Sequence, residues 1–173
     1  MAEWTETKEI VARIQERHFS ESGKVLQKLL AITLQRLGYD FCEERSIQGV
    51  DIDVVNRDTG ERHSLEVKTS KSSSITIATK DMDGLKAREE DGYVTYFAVL
   101  CQPLCFSEGW IICPSKRLKV GQHNASRLVR KRDAELSARV NALFPEVVEE
   151  MGPGILACRP GTAMHHMRRE HGI

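Results

Sequence analysis

The sequence predicts one α/β domain, a mixed sheet sandwiched between helices. Three observations point there: apolar residues recur at three and four positions between residues 23 and 37, short apolar runs bounded by turns follow from 39 to 114, and helical spacing returns beyond 125. A chain of 173 residues is long enough to bury a proper core.

Taken in order, residues 5–17 read as a helix with Ile10, Val11 and Ile14 on one side. A second helix spans about 23–37, where Val25, Leu26, Leu29, Leu30 and Leu37 share a face, and Gly38 stops it. "YDFCEERSI" and "VDIDVVNR" read as strands, and "DTGE" turns the chain into a third, "RHSLEVKTS". "ITIAT" is a fourth strand, followed by a helix over 80–90 that Gly92 ends. "YVTYFAVLC" and "EGWIICP" are the last strands, the latter closed by Pro114. Residues 125–144 read as one long basic amphipathic helix, broken afterwards by "GPG" at 152–154. The tail "RPGTAMHHMRREHGI" has no decisive pattern.

Composition narrows the function classes. A 40% hydrophobic and 29% charged chain with no apolar run long enough to span a bilayer reads as a soluble protein. Its polar N-terminus is unlike a signal peptide, so a cytoplasmic location with no membrane partner is expected. The five cysteines (Cys42, Cys101, Cys105, Cys113, Cys158) fit reduced thiols better than a disulfide framework. Zinc is disfavoured, because the spacing from Cys101 to Cys105 straddles Pro103 and lacks a nearby fourth ligand. Net charge is zero, yet Lys116, Arg117, Lys119, Arg127, Arg130, Lys131, Arg132 and Arg139 crowd a stretch holding only Asp133 and Glu135. Such a stripe suits nucleic-acid phosphates, or is simply a solvated helix face. His165, His166 and His171 read as a flexible terminus, His63 as surface and Trp110 as core.

The chemistry concentrates in the hairpin. Asp53 sits in one apolar run, and Glu66 and Lys68 flank Val67 in the next. Alternation puts Glu66 and Lys68 on one face, and the turn is expected to bring Asp53 alongside. Two carboxylates so placed repel unless a cation lies between them, and a hard divalent ion held also by the Val67 carbonyl would answer that. Lys68 could then orient water or stabilise charge on a phosphate. Asp51 competes with Asp53 as the ligand; spacing to Glu66 favours Asp53.

These residues carry a family resemblance. Asp53, twelve residues and then Glu66-Val67-Lys68, on neighbouring strands after a helix, resembles the PD-(D/E)xK nuclease superfamily, and within it the archaeal Holliday-junction resolvases and their restriction-endonuclease relatives. "RSIQGVDIDVV", "EVKTSKSSSITIATKDMDGLKAREE" and "TYFAVL…GWIICP" resemble successive stretches of those proteins, over residues 22 to 118. The resemblance implies a restriction-endonuclease-like sandwich with the nuclease core at 21–120; a helical extension at 1–20 and a basic helical extension at 121–173 are expected outside the part that resembles the family. The resemblance also implies an endonuclease acting on branched or duplex DNA with Mg²⁺ (Mn²⁺ substituting); because two strands must be held and one site addresses one phosphodiester, a homodimer is expected. Asp53, Glu66 and Val67 would hold metal, Lys68 would be the catalytic lysine, and Arg45, Ser46, Ser70 and Lys71 would border the DNA, which Arg127, Arg130 and Lys131 would extend. The resolvases carry a glutamate on the first helix where this chain has Gln27; Glu21 is the other candidate for completing the metal shell. Restriction or repair cleavage is the alternative activity, and a catalytically inactive DNA-binding or assembly subunit the alternative class.

Overall fold

The structure, a computed structural model, describes residues 2–43, 50–102 and 109–172. Two helices, α1 (Ala2–Arg17) and α2 (Ser22–Arg36), lead into β1 (Tyr39–Glu43), β2 (Ile52–Asn56), β3 (Arg62–Ser70) and β4 (Ser74–Ile77). Helix α3 (Thr79–Glu90) precedes β5 (Val94–Cys101) and β6 (Ile111–Pro114); a 3₁₀ turn at Ser115–Arg117 leads to β7 (Gly121–Asn124), α4 (Ala125–Val129), α5 (Ala134–Ala157) and α6 (Ala163–His171). The main sheet has the order β1-β2-β3-β5-β6, and β4 pairs with β7 in a separate two-stranded sheet. All pairings are antiparallel except β3 with β5, whose parallel register requires the crossover that β4 and α3 supply. The expected mixed sheet flanked by helices is therefore the architecture found.

Alternation along the strands sorts the core into two layers. On β5, Tyr96, Ala98 and Leu100 join Leu26, Leu29, Leu30, Trp110, Phe144 and Val147 beneath α1, α2 and α5. Phe97, Val99 and Cys101 point the other way and join Ile77, Leu85, Ile111 and Leu128 beneath α3, α4 and the small sheet. Trp110 is fully buried, as expected. His63 is not the surface residue it was expected to be: it is 6% exposed. Its ring is stacked on Tyr96 and edge-on to Tyr39. As an odd-numbered β3 residue it shares the inward face with Leu65.

The C-terminal third departs most from expectation. The single basic helix expected over 125–144 is instead the short α4, a turn and the start of α5, with β7 just before it. Asn124 caps α4 by accepting from Ser126 N at 3.0 Å, and Asp133 caps α5 by accepting from Leu136 N at 2.9 Å. The "GPG" segment does not break α5, which runs through both Pro145 and Pro153. Each proline removes a backbone hydrogen bond, but Val147, Val148, Met151 and Ile155 continue the buried stripe past both. The tail forms α6, seated on the core by Ala163 and Met167. The boundary expected at 120/121 falls between parts of one layer, because β7 pairs with β4.

Gly152 shows why that segment is glycine-rich. A Cβ there would collide with the branched methyl of Ile10 on α1, so the glycine sets how closely α1 approaches α5. Gly152→Ala would gain roughly 1 kcal/mol of helix propensity, yet overpacking a rigid β-branched neighbour costs about 1–3 kcal/mol. We expect a net loss of up to ~2 kcal/mol, read as a lower thermal midpoint, and a much smaller loss for the same substitution in an Ile10→Ala background.

Candidate functional site

Register decides which residues meet. In the β2–β3 ladder Ile52 lies opposite Leu65 and Asp53 opposite Ser64. The paired register ends at Ile52; Asp51, one step before β2, donates its amide to Leu65 O at 3.0 Å, and its carboxyl lies beside that of Glu66. Asp51, Asp53, Ser64, Glu66 and Lys68 all share the face covered by α3. Asp51 Oδ2 also accepts from the Val67 amide at 2.8 Å. From α2, Gln27 Nε2 donates to the Asp51 carbonyl at 3.2 Å, which places the amide at the site's edge.

Lys68 lies between two carboxylates, its Nζ 3.0 Å from Glu66 Oε1 and 2.7 Å from Asp81 Oδ2. Asp81 comes from the first turn of α3, where its Oδ2 also accepts from Ala78 N at 2.9 Å. Asp53 is engaged elsewhere. Its Oδ1 accepts from Ser64 Oγ at 2.7 Å, and its Oδ2 is paired with the Arg88 guanidinium of α3. Arg88 in turn reaches Asp91 at 3.3 Å and lies over the Tyr93 ring. The structure does not bring Asp53 beside Glu66 as expected: it is Asp51 whose carboxyl lies there, and Asp53 is a buried ion-pair partner two residues further toward the turn.

The electrostatics follow from that arrangement. Burial, and then the facing Asp51 carboxylate, push Glu66 up to about 7, against the opposing pull of Lys68. Burial also raises Asp51, although the Val67 amide and the Lys68 ammonium oppose it. Burial works against the Lys68 ammonium, but Asp81 and Glu66 outweigh it and hold its pKa above the usual lysine range. For Asp81 burial is likewise outweighed, by Lys68 and the Ala78 amide, and its carboxyl stays below the usual range.

Whether the residues fit a divalent ion rests on this donor set. No group of three or more His, Cys, Asp or Glu side chains gathers as a metal cluster among the described residues. What the site has is two facing carboxylates, both held above their ordinary pKa values, with the Val67 backbone and the Gln27 amide beside them. Hard oxygen donors that burial and mutual repulsion disfavour as anions are a set that a divalent cation would stabilise.

The remaining expected residues scatter. Glu21 is excluded from the site, since it caps α6, accepting from Ala163 N at 2.6 Å and Met164 N at 3.4 Å. Ser70 ends β3, and its hydroxyl is 3.0 Å from that of Ser72. Lys71 follows, exposed, with its ammonium over the Phe19 ring. Arg127 lies in α4, Arg130 and Lys131 in the turn after it, and all three are exposed but not on one helix with Arg139. Arg45, Ser46 and Cys105 fall outside the described residues, while Cys101 and Cys113 are buried free thiols. Sequence reasoning missed Asp81 and Arg88. Their signal was present: α3 buries only positions 81, 85 and 88, a one-faced stripe with a single apolar member.

No family description and no curated protein matches the chain. Among solved structures, the chain is similar to that of Hjc from Archaeoglobus fulgidus, a Holliday junction resolvase from an archaeal hyperthermophile. Identity is 17% at a TM-score of 0.54, covering 67% of this chain and 95% of that one. The likeness establishes a shared fold: a five-stranded mixed sheet with flanking helices, extended here by a further third of chain.

Proposed function

We propose that the protein is a metal-dependent endonuclease that hydrolyses phosphodiesters in branched DNA. The observation that carries this is the Asp51–Glu66 pair with Lys68 at its side, in a fold similar to that of a resolvase. Asp51, Glu66 and the Val67 carbonyl would hold Mg²⁺, or Mn²⁺ in its place, with Gln27 at the edge. The ion would supply Lewis acidity toward the phosphate and an activated water.

The chain's own groups divide the remaining work. Lys68 is held protonated, so it serves as a donor and a positive charge toward a phosphate oxygen, not as a base. Asp81 positions it from α3. Arg88 and Asp53 fasten α3 to β2 and so keep Asp81 in reach. Ser70, Lys71, Arg127, Arg130 and Lys131 are exposed or half-exposed groups suited to backbone phosphates, contacts that position DNA without reading sequence. Two cuts in a branched substrate would need two such sites, which a homodimer would provide.

The deciding experiment is a panel of four-way junction, flap, duplex and single strand incubated with Mg²⁺ or Mn²⁺. Asp51→Asn should abolish both cleavage and metal binding. Asp53→Asn should keep metal binding while losing about 3–5 kcal/mol of stability, the cost of leaving Arg88 buried without its partner. Metal binding lost in Asp53→Asn and kept in Asp51→Asn would reverse the assignment.

Lys68→Arg should lower turnover by roughly 10²–10³-fold, because a planar guanidinium cannot replace a compact ammonium held between two carboxylates. Single-turnover cleavage rates with DNA affinity measured in parallel check this.

The raised Glu66 makes metal-free stability depend on pH. Between its ordinary 4.5 and about 7 the folded protein holds a proton that the unfolded chain has lost, so stability falls across that window as pH rises. Without metal, Glu66→Gln should therefore gain on wild type as pH climbs through the window, the two converging below it. Added Mg²⁺ at about pH 8 should raise the melting temperature of wild type and not of the variant.

A further inference from the structure

The turn between α1 and α2 holds an aromatic ring out in solvent while its neighbours are tied down. Phe19 is 73% exposed; the other exposed large apolar side chains among the described residues are Val94 and Val120, neither aromatic. Arg17 Nε donates to Cys158 O at 3.0 Å, the ring of buried His18 lies 2.9 Å from Ile155 O, and Glu21 is committed to the amides that open α6. Fixed at residues 17, 18 and 21, the turn cannot fold the ring back onto the core.

A lone exposed apolar residue needs no explanation; Phe19 is distinguished by its place and its company. The Lys71 ammonium lies 4.7 Å from the ring centroid, a cation–π contact that still leaves most of the ring open. Lys71 follows Lys68 by three residues, ~10 Å of backbone at ~3.3 Å per strand residue, and its side chain lies on the α2 side of the strand end while Lys68 faces α3. The base of the turn is packed on that same strand end, since a Cβ on Gly23 would come within 3.3 Å of Thr69 Oγ1.

We propose that Phe19 and Lys71 form a stacking subsite for an unstacked nucleobase at the strand end next to the proposed cleavage site. The proposal rests on the nuclease function above and names the feature of DNA that would be selected. The ring offers an open face to a base, and the ammonium beside it offers a charge to the adjoining phosphate. Every base has such a face, so the subsite carries no sequence preference. Within a continuous duplex, however, each face is already covered by its neighbours. Only a branch point, a flap or a single strand presents a base that can stack.

The test is binding in EDTA, where no cleavage intervenes, to a four-way junction, a single strand and an unbranched duplex, with 2-aminopurine at the branch or in the duplex interior. Phe19→Ala should weaken junction and single-strand binding about tenfold and duplex binding less than about twofold. It should abolish quenching of the branch-point probe, while Phe19→Trp preserves both. Because the ring is exposed, the Ala variant should keep the wild-type melting temperature. Equal losses on all three substrates, no loss on any, or a change of oligomeric state by sedimentation would overturn the subsite, the last assigning the ring to a second copy of the chain. If wild type cleaves the junction and Phe19→Ala is indistinguishable from it, the subsite alone fails. If Phe19-dependent binding persists without cleavage under any metal, the nuclease function fails and the subsite stands. If wild type binds none of the three, both fail.

Discussion

The β2–β3 register governs everything chemical in this fold. It is set by the turn: Asn56 Oδ1 accepts from Asp58 N at 2.9 Å and Thr59 N at 3.1 Å, Asn56 N donates to Glu61 O at 2.8 Å, and Gly60 supplies a φ of 69°. With the loop length fixed in this way, the ladder ends at Ile52 and leaves the Asp51 carboxyl beside Glu66. A slip of one residue would turn every acidic group onto the apolar face, and a slip of two would keep the face but bring Asp53 to Glu66. The difference between a carboxylate pair able to share a cation and a carboxylate already neutralised by arginine is thus one turn's geometry.

Helix α3 is held over that face by two ion pairs of opposite polarity. Near its start an acid, Asp81, meets the basic Lys68 of β3; two turns later a base, Arg88, meets the acidic Asp53 of β2. Leu85 is buried between them. Buried ion pairs are poor sources of net stability because desolvation offsets the attraction. Their use here is registry: exchanging or sliding the helix would set Asp81 against Asp53 and Arg88 against Lys68, so α3 has one electrostatically tolerable position. That position is the one in which Lys68 is fixed between Glu66 and Asp81.

Elements whose side chains bury a periodic face were legible in the sequence. The nine residues of β3 alternate visibly and end where expected, and α2 shows its stripe at three and four. The sites themselves were half legible: Glu66 and Lys68 follow from alternation, but the choice between Asp51 and Asp53 depends on register, which spacing in the sequence does not encode. Where backbone or tertiary packing decides, sequence was silent or misleading. β7 is "GQHN", with no apolar alternation, and forms because it pairs with the backbone of β4. α5 continues through two prolines because the surface it covers continues. His63 is buried because its parity on β3 outranks its polarity.

The open end of β2 explains how a charged pair can persist inside such a sheet. The ladder to β3 stops at Ile52 opposite Leu65, yet β3 runs on to Ser70. The next β3 amide directed to that side, that of Val67, has no β2 strand partner, and a buried amide left unpaired is costly. Asp51 supplies the missing acceptor with its side chain, at 2.8 Å. One backbone vacancy therefore does two things. It draws a carboxylate into a half-buried position it would not otherwise favour, and it aims that carboxylate at Glu66 on the same face. The Val67 carbonyl, on the same edge as its amide, is directed toward the same gap. The donor set proposed to hold a metal is, in this light, the way the strand end satisfies its own hydrogen bonding, and the charge repulsion that this creates is the reason a cation would be bound there.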